Sequence, residues 1–422
     1  MYNILKKNIL NNSVELLSSA LEGKQPADQI IQKYFRSHPS MGMHDRGFAA
    51  ETVYGCLRRK RSLEYSLGEH PPAPIHLIAA YLVAVQGWSA RALEEAGLKD
   101  ARNLVIRLRE ADTGAIPPAV RADLPDWLYE RLAAQLGEDE AQQLAAALNQ
   151  PAPVDLRVNT LKLRREEAAA RLAEEGYASG LTPYSPAGLR RHDRAPLFNT
   201  RAFKEGLIEV QDEGSQLLSY LLSPKRGEMV VDFCAGAGGK TLHLGALMGN
   251  TGTLYAFDTS EKRLAKMKPR LKRAGLDTVR SVVIEHERDR RVQRLRGKID
   301  RVLVDAPCTG LGTLRRNPDL KWRPADLKHL TDLQDRILAA AAALLKPGGQ
   351  LVYATCSPLR EENDVVVNTF LENHPEFSPL PAPENLARRG IVLPGNDEPY
   401  LRLYTHHHHT DCFFAALLQR QH

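Results

Sequence analysis

Apolar residues recur at three- and four-residue spacing through the first quarter of the chain. NSVELLSSAL, PADQIIQKYF and DRGFAAETVYGCLRRKRSLEYSL each carry such a stripe, the pattern of an amphipathic helix. Pro71, Pro72 and Pro74 interrupt it, and IHLIAAYLVAVQGW then reads as a buried helix. No strand alternation stands out, so residues 1–112 are expected to form an all-helical domain. GAIPPAVRADLPDW, 114–127, is rich in proline and reads as a linker, and LYERLAAQLGEDEAQQLAAAL as one more amphipathic helix. The period then shortens. VDLRVNTLK reads as a strand, EEAAARLAEEG as a helix closed by Gly176, and GLIEVQDEGSQLLSYLL as a strand leading into a helix. A small α+β domain is expected over 120–205. In the remainder, 206–422, MVVDF, TLYAFD, RSVVIE, DRVLVD and QLVYAT are short β-rich runs separated by helical segments, and HTDCFFAALLQ supplies a last strand. That alternation predicts an α/β, Rossmann-like domain with a parallel sheet covered on both faces.

Composition narrows the setting. The longest apolar run, ILAAAAALL at 337–345, is far too short to span a bilayer, and the N-terminus lacks the pattern of a secretory signal. No membrane partner is expected. Cys56, Cys234, Cys308, Cys356 and Cys412 include no CxxC pair, so neither a zinc nor a disulfide framework is suggested, and a cytoplasmic, reduced protein is expected. The run His406 to His409 precedes the last strand, where alternation would scatter its rings, so no metal site is expected. The net charge of +6 is a weak pointer to a polyanion. Its clustering says more: Arg58 to Arg61, KRLAKMKPRLKR, RDRRVQRLRGK, and Arg315, Arg316, Lys321 and Arg323 around Trp322. Solvated helix faces would give the same clusters one at a time; several in one chain favour a nucleic-acid surface. Beside Asn317, the last group offers cations for phosphates and a ring for stacking single-stranded RNA, with a place in the core as the equal alternative for Trp322.

The glycine turn VVDFCAGAGGKT misses two phosphate-binding patterns by one residue each. The loop of P-loop nucleotidases needs glycine where Cys234 stands, and the dinucleotide fingerprint needs glycine where Thr241 stands. In an open parallel sheet the ligand lies beyond the carboxyl ends of the strands, so small residues are needed in the turn after the first strand. Asp258, at the end of the second strand, is placed to accept both ribose hydroxyls, or else to cap the next helix. This arrangement suits S-adenosylmethionine, which needs no phosphate cradle. Cys234, Ala235, Gly236, Ala237, Gly238, Gly239, Lys240, Asp258, Arg263 and Asp305 are the candidate donor contacts.

Two thiols follow strand ends on the same rim. Cys308 lies three residues after Asp305 in VDAPCTGLGTLRRNPDLKW, and Cys356 closes YATC. A lone buried cysteine is usually inert; two of them beside a methyl donor suggest chemistry. Cytosine C5 is a poor nucleophile, and thiolate addition at C6 makes it enamine-like, a case of covalent catalysis. Asp305 is placed to contact the N3 and N4 edge of the base, Lys240 the donor or the base, and a second thiol to act as the base that expels the product. The target must be splayed out of any helix.

DFCAGAGGKT, AFDTS, VDAPCTGLGTLRRNPDLKW, YATCSPLREEND and HTDCFFAALL, in that order, resemble the RNA cytosine-5 methyltransferase family of the Sun/nucleolar-protein type. DNA cytosine-5 methyltransferases differ in using the Pro-Cys thiol as nucleophile. The resemblance implies a class I methyltransferase domain, S-adenosylmethionine as donor, Cys356 as nucleophile and Cys308 as the residue that assists release. LRVNT and VQDEGSQLL resemble the small domain preceding catalysis in this family. The helical N-terminus resembles the NusB-like RNA-binding domain of its bacterial small-subunit rRNA members. The turn departs from the family's C-A-A-P-G-G-K at Gly236 and Ala237, and Cys412 replaces a glycine. The acid expected to meet the adenine best matches Glu287, with Glu285 as rival. Small-subunit rRNA is the substrate the resemblance implies. A tRNA enzyme, or a non-catalytic RNA-binding or assembly factor on the same fold, are the alternatives. No oligomer is implied.

Overall fold

The computed structural model describes residues 5–68, 71–111, 114, 116–193, 196–395 and 398–421. The chain divides into two units, Met1–Pro151 with Thr313–Ala325, and Ala152–Gly312 with Asp326–His422.

In the helical unit the expected stripes become helices Lys7–Leu21, Ala27–Ser37, Met43–Arg58, Lys60–Leu67 and Pro74–Ala84. Leu16, Leu17, Val53, Leu57, Leu77, Ile78 and Leu82 form its centre and are at most 1% exposed. Gly55 lets two of these helices touch, because a Cβ there would lie 2.1 Å from the Tyr81 ring. The boundary expected at 112 lies outside the described residues, and the unit continues beyond it. The stretch expected to be a linker carries the short helix Pro118–Arg121 and packs into the core. Leu124 is fully buried there, and Asp123 accepts the Ser62 N–H at 2.8 Å. The amphipathic run that follows is two helices, Asp126–Leu136 and Glu138–Leu148, separated at Gly137, whose φ of +87° breaks the ladder.

Two of the basic clusters are structural. Arg58 is buried, and Arg59, Lys60 and Arg61 pair with Asp123, Glu64 and Asp126. Lys321 is 1% exposed and gives its three N–H groups to Arg58 O, Asp123 O and Asn149 Oδ1 at 2.9, 2.7 and 2.8 Å. Trp322 packs against the helical core and donates its indole N–H to Leu57 O at 2.7 Å. For Trp322 the core alternative holds, and the expected role of Lys321 in gripping RNA is corrected: both are committed to holding Thr313–Ala325 in the helical unit.

The second unit contains two sheets. β1 (Val154–Val158), β2 (Gly180–Leu181), β3 (Gly188–Arg191) and β4 (Ile208–Val210) form an antiparallel sheet in the order β2-β3-β1-β4. The larger sheet contains β5 (Met229–Asp232), β6 (Thr253–Asp258), β7 (Val279–Val283), β8 (Ile299–Asp305), β9 (Leu345–Thr355), β10 (Phe377–Leu380), β11 (Leu401–Leu403) and β12 (Phe413–Arg420). Its order is β10-β12-β9-β8-β5-β6-β7, with β11 on β12. β5 to β9 pair in parallel, and β12 runs antiparallel to β9. The chain proceeds from β5 outward through β6 and β7, then returns to β8 on the opposite side of β5. That reversal opens a crevice at the carboxyl ends of β5 and β8. The histidine run, expected beside a strand, instead forms the one-turn helix Thr405–His408, with His409 at φ +57°.

Candidate active site

The crevice is a cavity of about 730 Å³, within the range of cofactor sites. Cys234, Ala235, Gly236, Ala237, Gly239, Lys240, Asp258, Arg263, Glu287, Asp305, Cys308 and Cys356 all line it. Gly238 shapes the turn without lining the cavity: its φ is +87°, and a Cβ there would lie 2.5 Å from Met267 Cγ. Gly236 also has a positive φ, +57°. The turn is braced from outside by Arg270, which donates to Ala237 O at 2.6 Å, and by Arg157, which donates to Gly239 O at 2.6 Å. Arg270 also pairs with the buried Glu209, as does Arg273, so part of the basic run 262–273 faces inward.

Asp258 ends β6 and is 4% exposed. It accepts Gly236 N–H at 2.8 Å and Ser260 N–H at 2.7 Å, and pairs with Arg263 at 3.3 Å. A carboxylate oxygen carries two acceptor sites, so these bonds orient Asp258 and leave capacity for ribose hydroxyls. Of the two rival acids, the Glu287 side chain is 12% exposed and is held by Arg336 at 3.1 Å, whereas the Glu285 side chain is 83% exposed. A zwitterionic adenosyl donor fits this wall: positive-φ glycines beside the strand end, a buried acid at the end of β6 and a second, anchored acid beyond it.

The opposite wall carries Asp305, Cys308 and Cys356. Asp305 ends β8 and accepts from Lys240 Nζ at 2.7 Å. Burial pulls the Lys240 ammonium toward neutrality, but the charge and hydrogen bond of Asp305, with Cys356 nearby, outweigh it and raise its pKa. Cys308 Sγ lies 3.5 Å from Cys356 Sγ. The hydrogen bond to Cys356, followed by burial, holds the Cys308 thiol well above its ordinary pKa. Burial raises the Cys234 thiol likewise.

Sequence reasoning missed several lining residues. Asp232 is buried at the end of β5, bonded through Oδ2 to Thr241 at 2.6 Å, with Oδ1 unpartnered. Burial lifts its pKa to about 7. Gln211 and Ser215 enter from the segment after β4, and Arg336 from helix Leu327–Ala342. Only Asp232 left a trace in sequence, as the acid two residues before Cys234.

Comparison with known proteins identifies two matching families. The family described as 16S rRNA methyltransferase RsmB/F matches residues 219–419, and the RsmF/B-like ferredoxin-like domain matches residues 124–196. A probable ribosomal RNA small subunit methyltransferase B from Synechocystis is 33% identical over 93% of this chain and 95% of its own. A solved methyltransferase homologue from Pyrococcus horikoshii is 33% identical, with a TM-score of 0.61 over 72% of this chain and 97% of its own. The structure of NSun6 from the same organism with SFG is 26% identical, with a TM-score of 0.60 over 70% of this chain and 98% of its own.

Proposed function

The chain belongs to the RsmB/F family of 16S rRNA methyltransferases, which depend on S-adenosylmethionine, and on that premise we propose that it methylates C5 of a cytidine in small-subunit rRNA through a covalent Cys356 adduct. One observation carries the reading: the thiols of Cys308 and Cys356 are 3.5 Å apart although 48 residues separate them in the chain. Both line the cavity that holds the glycine turn. A non-catalytic factor has no use for that pairing. In this reading Asp258 holds the ribose, Glu287 meets the adenine, and the backbone of Cys234 to Gly239, with Arg263 nearby, receives the amino-acid end. When bound, the donor supplies an electrophilic methyl group.

The protein's own groups do the rest. The Cys356 thiolate adds to C6 of an extruded cytosine, and the C5=C6 electron pair becomes available at C5 for the methyl group. Asp305, fixed by Lys240, accepts from the N4 amino group and holds the ring over Cys356. Cys308, once its own proton has passed to solvent, takes the C5 proton as a thiolate, the C5=C6 bond re-forms and the C6–Sγ bond breaks, returning Cys356 as thiolate. The 3.5 Å contact between the sulfurs, in which either can donate, keeps both within reach of one pyrimidine ring. Protein-free RNA is the preferred substrate form, since the base must leave its stack.

A trapping experiment tests the reading. Cys308→Ala, incubated with rRNA and donor, should accumulate a denaturant-resistant protein–RNA adduct that disappears in the Cys308→Ala, Cys356→Ala double variant. Intact RNA binding with no adduct would contradict the thiol mechanism.

A further inference from the structure

The scheme above leaves unused one buried carboxylate on which both cysteine loops converge. Glu362 is fully buried, with 0% exposure. Its oxygens accept the Thr309 N–H at 2.8 Å, the Thr309 hydroxyl at 2.6 Å and the Gln334 side-chain N–H at 3.1 Å. Thr309 directly follows Cys308, and the same Gln334 amide donates to Pro307 O, just before Cys308, at 2.9 Å. Both flanks of Cys308 are thus tied to Glu362, one directly and one through Gln334. Toward the other thiol, the Glu362 carbonyl accepts from Tyr353 Oη at 2.7 Å, on the strand that delivers Cys356. The adjacent Asn363 donates to Ser357 O at 2.9 Å, one residue past Cys356.

Burying a carboxylate among neutral donors is unfavourable unless its oxygens are well bonded. An apolar side chain would fill the same space without that penalty. What it would lack is the fork of two oxygens that fixes the backbone N–H and the hydroxyl of one residue together.

We infer that Glu362 is a positioning residue, which through Thr309 and Gln334 holds the Cys308 thiol against Cys356 so that Cys308 can take the C5 proton as the C6–Sγ bond breaks. The inference rests on the two-thiol reading of the site. A role confined to filling the core would lower stability but leave the partition between released product and trapped adduct unchanged.

The full chain, protein-free small-subunit rRNA and donor are incubated and run on denaturing gels. Glu362→Ala, with Cys308 intact, should accumulate the covalent adduct at about the level of Cys308→Ala, with turnover lowered about tenfold or more. Glu362→Gln, which keeps the shape and one acceptor oxygen, should bring the adduct well below that of Glu362→Ala. If Cys308→Ala traps RNA while Glu362→Ala releases it freely, the inference about Glu362 is overturned and the thiol mechanism stands. If Cys308→Ala traps nothing, the two-thiol reading fails and takes this inference with it. Should Glu362→Ala not fold, Thr309→Val decides on the same criterion: adduct supports the inference, free release overturns it.

Discussion

Cys308 and Cys356 were legible as a pair because each follows an apolar strand run, and strand ends in a parallel sheet share one rim. Two carboxylates gave less: Asp232 showed only as the acid before Cys234, and Glu362 not at all, because their burial depends on side chains distant in sequence. Two predictions belong at this scale. Release requires the Cys308 thiolate; once Cys356 is bonded to the base its share of the shift is gone, and burial still raises the Cys308 pKa. At neutral pH the group is therefore protonated, and turnover should rise with pH into the alkaline range while the adduct fraction falls; a rate flat from pH 7 to pH 10 would contradict this. Asp232 has a folded pKa of about 7 against an ordinary 3.8, so its contribution to stability is complete below pH 3.8 and is lost as pH rises through 7. Asp232→Asn should therefore gain stability over the natural chain between pH 5 and pH 8, by up to a few kcal/mol in denaturant titrations. Donor binding is the control, since Asp258→Ala is expected to weaken it markedly.

Among elements, the periodic ones were read well and the irregular ones poorly. The strands β5 to β9 and β12 and the first helices follow runs that local pattern specifies. β10 and β11 are short edge strands whose pairing with β12 no local period announces. Proline in 114–127 suggested a linker, yet Pro118 starts a helix, a position where a missing N–H is harmless. Thr313–Ala325 was misread for a related reason: cations around a tryptophan look like an RNA grip until their partners are known. Lys321→Met would leave Arg58 O, Asp123 O and Asn149 Oδ1 without their donor. Buried acceptors stripped of a partner are costly, so a loss of about 2–4 kcal/mol is expected in chemical denaturation. A loss under about 0.5 kcal/mol, the range of ordinary surface changes, would show the segment to be loosely held.

For the whole molecule, the net charge of +6 is the small remainder of 57 Lys and Arg against 51 Asp and Glu. Much of the cationic side is paired, as the Arg58–Arg61 cluster shows. Exposed cations remain at Lys262, Lys266 and Lys268 and at Arg288, Arg290, Arg294 and Arg296. If these meet phosphates, rRNA affinity should fall about tenfold or more between 50 and 200 mM salt, whereas donor affinity should barely move. The central claim is the identity of the atom methylated and of the sulfur that activates it. Its most direct test is nucleoside analysis of protein-free small-subunit rRNA after reaction with methyl-labelled donor, for the natural chain beside Cys356→Ala. The account predicts label in 5-methylcytidine with the natural chain and none with Cys356→Ala, although that variant still binds donor; label in any other nucleoside, or undiminished 5-methylcytidine from Cys356→Ala, would contradict it.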